Sequence, residues 1–267
     1  MEIRMNIWVV GASSGIGLEV AKQYAANGHR VWISARNEEQ LTTIALENKG
    51  LLPLPVDITD DNALALAVSQ IEQSGQPLDK VIINAGTCEY IDSYEIERDK
   101  IRRVMETNFF GAINVVNAVL PLLRLSKKQQ PSMDPQLVFV SSSVTYQALP
   151  RAGAYGASKA AVRYFAETLR ADVVHEGIDV RIVSPGFVKT PLTDQNDFPM
   201  PFLLSVENAA SRILKGLGGK QFDIHFPKRF TYSLKFMSLL PDCIRLPLVA
   251  KASRHDASQL NSSSAHD

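Results

Sequence analysis

The chain is short of several things, and each shortage removes a class of protein. It has two cysteines in 267 residues, Cys88 and Cys243. Two thiols so far apart make neither a disulfide framework nor a metal-type cluster. No metal site is therefore expected, and a reducing, cytoplasmic compartment is. Neither charge is in excess: 28 Lys and Arg stand against 28 Asp and Glu. A chain organised around nucleic acid would carry a positive surplus, so nucleic acid is not an expected partner. No apolar run approaches the length that spans a bilayer. The opening, MEIRMNIWVVGASSG, has a charged tip but too short an apolar stretch for a secretory signal.

What is present is an ordinary globular balance, 45% apolar and 21% charged, in a chain long enough to bury one large core. Short apolar runs at 5–10, 30–34, 51–55, 80–83, 137–141, 179–184 and 222–226 read as strands. Their near-continuous hydrophobicity suits a parallel sheet covered on both faces. Amphipathic runs near 16–27, 37–48, 60–73, 98–125, 154–175 and 205–217 read as helices. The alternation predicts an α/β fold: a doubly wound parallel sheet of about seven strands with helices on both faces. The polar stretch 126–135 reads as a loop, and the last dozen residues as a disordered tail from 256 to 267.

The first strand runs straight into Gly11-Ala-Ser13-Ser14-Gly15-Ile16-Gly17 and then into a helix. Glycines are needed where the chain turns tightly and where backbone must approach a pyrophosphate. The helix N-terminus then offers unpaired N–H groups to the anion. Between the first strand and first helix of an alternating chain, this loop predicts a dinucleotide site. The second strand ends Ser34-Ala35-Arg36, with no acid to hold a ribose 2′-hydroxyl. Arg36 can pair with a 2′-phosphate, which favours NADP(H) over NAD(H); the plainer reading has it cap a solvated loop. Asp57 can accept from an adenine amino group or cap the helix starting near Asp60. In AYGASKAA, Tyr155 and Lys159 fall four apart, on one helix face, among small residues.

Taken in order, Gly11-x3-Gly15-Ile16-Gly17, Asp57, NAG at 84–86, Asn108, SSS at 141–143, Tyr155-x3-Lys159 and PGFVKT at 185–190 resemble the short-chain dehydrogenase/reductase family in its compact single-domain form, over roughly residues 5 to 217. Val10, Ile83 and Thr145 depart from the usual pattern without removing a reacting group. The resemblance implies a single Rossmann-type NAD(P)-binding domain over 1–255 and hydride transfer between nicotinamide and a carbonyl or secondary alcohol. Tyr155 would be the acid or base. Lys159, together with the positive charge of the oxidised nicotinamide, would lower its pKa, and Lys159 would also bond the nicotinamide ribose. Ser142, thirteen residues before Tyr155, would hold the substrate oxygen. Asn108 would kink its helix and hold a water relaying protons to Lys159, unless it is only a core amide. Asn84, Ala85 and Gly86 would line the adenosine and ribose side. Pro185 and Gly186 would turn the chain away from the sheet, with Val188 and Thr190 meeting the carboxamide or a phosphate. A homo-oligomer is implied too.

The apolar stretch 187–204 reads as a substrate lid or a helix pair packed on the core, either suggesting an apolar substrate. Between Lys228 and Arg254 six basic residues face one acid, Asp242, with aromatic and aliphatic residues interleaved. This segment reads as a pocket cover or subunit contact ahead of a peripheral membrane contact. Two other functions compete with the oxidoreductase: a catalytically idle NADP(H)-binding redox sensor, which would not need the intact trio, and a sugar-nucleotide epimerase, which would need a larger substrate domain.

Overall fold

The computed structural model describes residues 4–91 and 96–251; the expected tail at 256–267 lies outside them. Seven parallel strands form one sheet: β1 (Asn6–Val10), β2 (Arg30–Ser34), β3 (Leu51–Pro53), β4 (Lys80–Ile83), β5 (Gln136–Val140), β6 (Asp179–Pro185) and β7 (Asp223–Phe226). Their spatial order is β3-β2-β1-β4-β5-β6-β7. The direction of build-up reverses beside β1, so the loops leaving β1 and β4 splay apart and open a crevice at the carboxyl ends of the strands. Val10 is in register with both Ser34 and Ile83, which starts three of the loops expected to bind a ligand side by side.

Because successive strand residues point to opposite faces, β1 feeds two cores at once. Trp8 and Val10 join Leu64 of α3 (Asp61–Gln73), Val115 and Val119 of α5 (Gly111–Gln129) and Val162 of α6 (Gly153–Val173). Ile7 and Val9 join Val20 of α1 (Gly15–Ala26), Leu41 of α2 (Glu38–Glu47) and Ile213 of α7 (Val206–Leu217). Both faces are covered, which is why every β1 residue is buried and Ile7–Val10 read as an unbroken apolar run. Each fully buried Val, Leu or Ile here contributes roughly 1.5–3 kcal/mol.

Four expectations need correction. The expected helix over 98–125 is α4 (Arg98–Met105), a π-helical turn over Glu106–Phe110, and α5, which runs on to Gln129. The first part of the expected 126–135 loop is therefore helical: Ser126 is buried, and Lys127 turns back to bond the carbonyls of Pro131 and Met133. The run Arg98–Gln129 is also long and apolar enough to cross a membrane, contrary to the absence of such runs expected from the sequence, yet its apolar side packs into the core. Finally, 187–204 forms no helix pair. It is a loop closed at its base by a bridge between Val188 and Leu204. Two helices not expected from the sequence follow β7: α8 (Lys228–Ser238) and α9 (Asp242–Ala250).

Candidate active site

The glycine loop is shaped by what it touches. Gly11 has φ +85°, and a Cβ there would stand 2.4 Å from the backbone nitrogen of Ala85. At Gly17 a Cβ would stand 2.2 Å from the Gly11 carbonyl and 2.5 Å from Asn84 Nδ2. Asn84 Nδ2 donates to that carbonyl at 2.7 Å, so its amide braces the loop as well as lining the cleft. Ser14 caps α1 in extended conformation with no side-chain hydrogen bond, which leaves the first N–H groups of the helix for an anion.

In front of this loop lies a cleft of about 640 Å³ lined by Gly11, Ser13, Ser14, Gly15, Ile16, Arg36, Asp57, Asn84, Ala85, Gly86 and Thr190. Gly17 is packed behind it. Asp57 does not cap α3; Asp60 does, accepting from the N–H groups of Asn62 and Ala63. Asp57 instead accepts from the N–H and hydroxyl of Thr59, at 2.9 and 2.8 Å. The Thr59 N–H, helped by the Thr59 hydroxyl and the nearby Arg36 cation, holds its carboxyl below the ordinary value despite partial burial.

The cleft narrows toward Tyr155, Lys159 and Ser142, with Pro185, Gly186, Val188 and Thr190 on the opposite wall. Ser142 sits where β5 ends, its Oγ accepting from the Val144 N–H and sharing a side-chain hydrogen bond with Tyr155. Tyr155 and Lys159 lie on the first turns of α6, and the Lys159 ammonium stands 5.9 Å from the phenol ring centre. Its Nζ donates to the Val140 carbonyl at 3.0 Å. Asn108 falls within the π-helical turn, whose extra residue aims the amide inward. Its Oδ1 accepts from the Thr87 N–H at 2.7 Å, and its Nδ2 donates to the Thr87 carbonyl and Ser158 Oγ at 2.8 and 2.9 Å. A Cβ added at Gly86 would fall 3.1 Å from Asn108 Oδ1 and 3.2 Å from Lys159 Nζ, so that glycine leaves room for both side chains.

The expected lowering of the Tyr155 pKa by Lys159 is not what the protein alone provides. Burial pushes the phenol up to about 12, a neighbouring Cys88 adds to this, and the Ser142 hydrogen bond opposes it. Burial brings Lys159 down to about 8, so the same desolvation that would strengthen the pair weakens the ammonium that should supply the attraction.

Beyond Tyr155 opens a second cavity of about 520 Å³, mostly apolar. Its walls come from places that spacing does not connect: Cys88 and Tyr90 after β4, Leu149 to Ala152 before α6, Phe187 and Phe198 of the loop, and Phe230 and Leu234 of α8. Tyr90 Oη donates to Asn196 Oδ1 at 2.6 Å, and Arg151 pairs with Asp197 at 3.1 Å, which fastens the loop over the cavity. Phe230 and Leu234 make α8 part of the cover, in line with the first expectation for that segment. Behind the cavity wall, the Asp223 carboxylate accepts from Tyr146 Oη (2.6 Å), Ser184 Oγ (2.9 Å), Arg163 (3.1 Å) and Lys235 (3.4 Å). Nothing in the sequence reading pointed to it; an acid opening the last strand was the only available sign.

Residues 5–198 match the short chain dehydrogenase family model. An uncharacterised oxidoreductase of Myxococcus xanthus is 32% identical over 250 residues, 92% of this chain and 95% of that one. The 11-beta-hydroxysteroid dehydrogenase 1A of Arabidopsis thaliana is 28% identical, covering 89% of this chain and 72% of its own. A short chain dehydrogenase from Burkholderia cenocepacia, solved in complex with NADP, superposes with a TM-score of 0.79 at 24% identity, over 96% of this chain and all of that one. A dinucleotide-type cleft meeting a tyrosine–lysine pair at the switch point of a doubly wound sheet defines a Rossmann-type oxidoreductase site. The chain belongs to the short-chain dehydrogenase/reductase family.

Proposed function

We propose that the protein is an NADP(H)-dependent oxidoreductase that interconverts the carbonyl and secondary alcohol of an apolar substrate, with Tyr155 as acid or base. The observation that carries this reading is the position of Tyr155 and Ser142, which border both the dinucleotide-type cleft and the apolar cavity. The residues fit the nucleotide: Gly11 and Gly17 tolerate no side chain, the Ser14 side chain leaves the first N–H groups of α1 unbonded, and Arg36 stands at the cleft with no acid at the end of β2. The NADP-bound Burkholderia structure and the hydroxysteroid-acting Arabidopsis relative support the same choice of cofactor and of substrate polarity.

When bound, NADP(H) supplies or accepts the hydride. The chain's own residues do the rest. Ser142 and Tyr155 hold the substrate oxygen between two hydroxyls, which steadies negative charge as it develops there. A phenol raised by burial to about 12 is a competent proton donor to an alkoxide-like oxygen. Asn108 holds Thr87 and Ser158 still, and the Val140 carbonyl holds the Lys159 ammonium beside the phenol. The loop 187–204 excludes water. This reading includes a cytoplasmic, reducing setting, consistent with two unpaired cysteines, and assembly as a homo-oligomer.

The test follows NADPH absorbance with a panel of ketones, aldehydes and quinones. Turnover by the natural chain and a loss of ~100-fold or more in Tyr155→Phe, with NADPH binding retained, is expected from removal of a positioned proton donor. NADPH binding without turnover on any substrate would favour a redox sensor instead.

A further inference from the structure

The C-terminal helices present a second surface that the catalytic reading does not use. On α8, Phe230 and Leu234 face the apolar cavity, whereas Tyr232, Phe236 and Leu239, at i, i+4 and i+7, are 57%, 66% and 81% exposed. After Pro241 comes α9, nine residues (DCIRLPLVA) of which none is buried. Ile244, Leu246 and Leu248 are 45–52% exposed on this helix, which therefore covers no core. Lys228, Arg229, Lys235, Arg245 and Lys251 are interspersed with these side chains along the sequence, and Asp242 is the one acid over 228–251. Three of the cations are engaged within the chain: Lys228 with His225, Lys235 with Asp223 and Arg245 with Asp242. Among the described residues no ion pair holds Arg229 or Lys251.

We propose that α9 and the outward face of α8 dock on an anionic lipid bilayer. Two helices with exposed apolar residues and a local surplus of basic ones match an interface with acyl chains beneath anionic headgroups. The charge tells against the other occupant of such a face. A two-fold contact between copies would lay the same positive surplus against itself, with one acid per copy to answer it. The chain as a whole carries no net charge, so this local surplus is a property of the segment. The helix that would rest on the bilayer is also the one whose inner side lines the substrate cavity, so lipid and cavity lie on the two sides of α8. Docking does not depend on the catalytic reading, and the vesicle experiment tests it separately from the ketone assay.

The full chain is sedimented with vesicles of phosphatidylcholine alone and with vesicles containing phosphatidylglycerol. The expected result is co-sedimentation with the anionic vesicles, weakened as salt rises from ~0.1 M to ~0.5 M. Ile244→Asp with Leu248→Asp, at exposed positions that leave the melting curve unchanged, should lower partitioning at least ~10-fold. Arg229→Gln with Lys251→Gln should lower it by about 5-fold per cation on anionic vesicles and little on neutral ones. The proposal is overturned if the natural chain stays in the supernatant with both vesicle types, or if the variants bind as well as it does. Light scattering that shows self-association through these side chains in place of vesicle binding would overturn it equally.

Discussion

Replacing Asp223 by alanine tests how the active-site elements are held together. Its carboxylate, 13% exposed, joins four parts of the fold: Tyr146 in the turn after Ser142, Arg163 one helical turn beyond Lys159 on α6, Ser184 at the end of β6, and Lys235 on α8. Removing one partner of a buried ion pair typically costs about 3–5 kcal/mol, because the opposite charge is left without compensation. Here Arg163 keeps Glu167 at 3.0 Å, and Lys235 is 34% exposed, so both recover part of the loss. The expected destabilisation is therefore about 2–4 kcal/mol. At roughly 2–4 °C per kcal/mol for a chain of this size, the melting temperature should fall by about 5–15 °C at pH 7. Burial raises the Asp223 pKa, but the Tyr146 hydroxyl and the Arg163 cation outweigh it and hold the group below its ordinary value. Its stabilisation is thus complete above the unfolded value of about 3.9 and is lost as pH falls through the lower folded one. The gap between natural chain and variant should shrink between pH 5 and acid. In the ketone assay kcat should fall while NADPH affinity holds, since Asp223 does not line the nucleotide cleft. Scanning calorimetry showing a shift under ~2 °C at pH 7, below what the weakest of these estimates allows, would refute the reasoning.

Gly17→Ala should cost NADPH affinity heavily, because the new Cβ would stand 2.2 Å from the Gly11 carbonyl and push the loop out of place; titration by fluorescence would measure it. Arg36→Asp should exchange the preference for NADPH over NADH, as an acid repels a 2′-phosphate and accepts from a 2′-hydroxyl; paired binding titrations decide. Burial, with Lys235 and Lys228 adding to it, brings His225 down to about 4, so the imidazole is neutral at pH 7 and accepts at Nε2 from Lys228. A depressed folded pKa gives stability that is full above about 6.5 and is lost as pH falls toward 4. His225→Asn should flatten the thermal stability profile over that window.

The sheet and the nucleotide cleft were legible because each rests on a local signal. After Asn6, β1 is apolar since both its faces are covered, and the glycines follow it at once. Tyr155, Lys159 and Ser142, which the family resemblance grouped, line one narrow space, with Lys159 Nζ donating to the Val140 carbonyl at the end of β5. Other features depended on residues far apart in the chain. Tyr90 meets Asn196 across 106 positions, and Asp223 gathers Tyr146, Arg163 and Ser184 from three elements. The π-helical turn that aims Asn108 has no composition of its own, so the helix was read as uninterrupted. The stretch 126–129 was read by polarity, whereas its helix is set by Ser126 packing inward. For the Tyr155 pKa, the sequence showed the adjacent cation but not the burial that raises the phenol and lowers the ammonium in the chain alone. The α8 and α9 helices were masked by prolines at 227, 241 and 247, of which the first two serve as helix caps.

The most direct measurement is a crystal structure of the chain with NADPH and a ketone substrate or inhibitor bound. A carbonyl oxygen within ~2.6–3.2 Å of both Tyr155 Oη and Ser142 Oγ is expected, with its carbon about 3–3.5 Å from the nicotinamide C4. A carbonyl seated in the 520 Å³ cavity but out of reach of Tyr155, or a nicotinamide directed away from it, would contradict proton transfer by that residue.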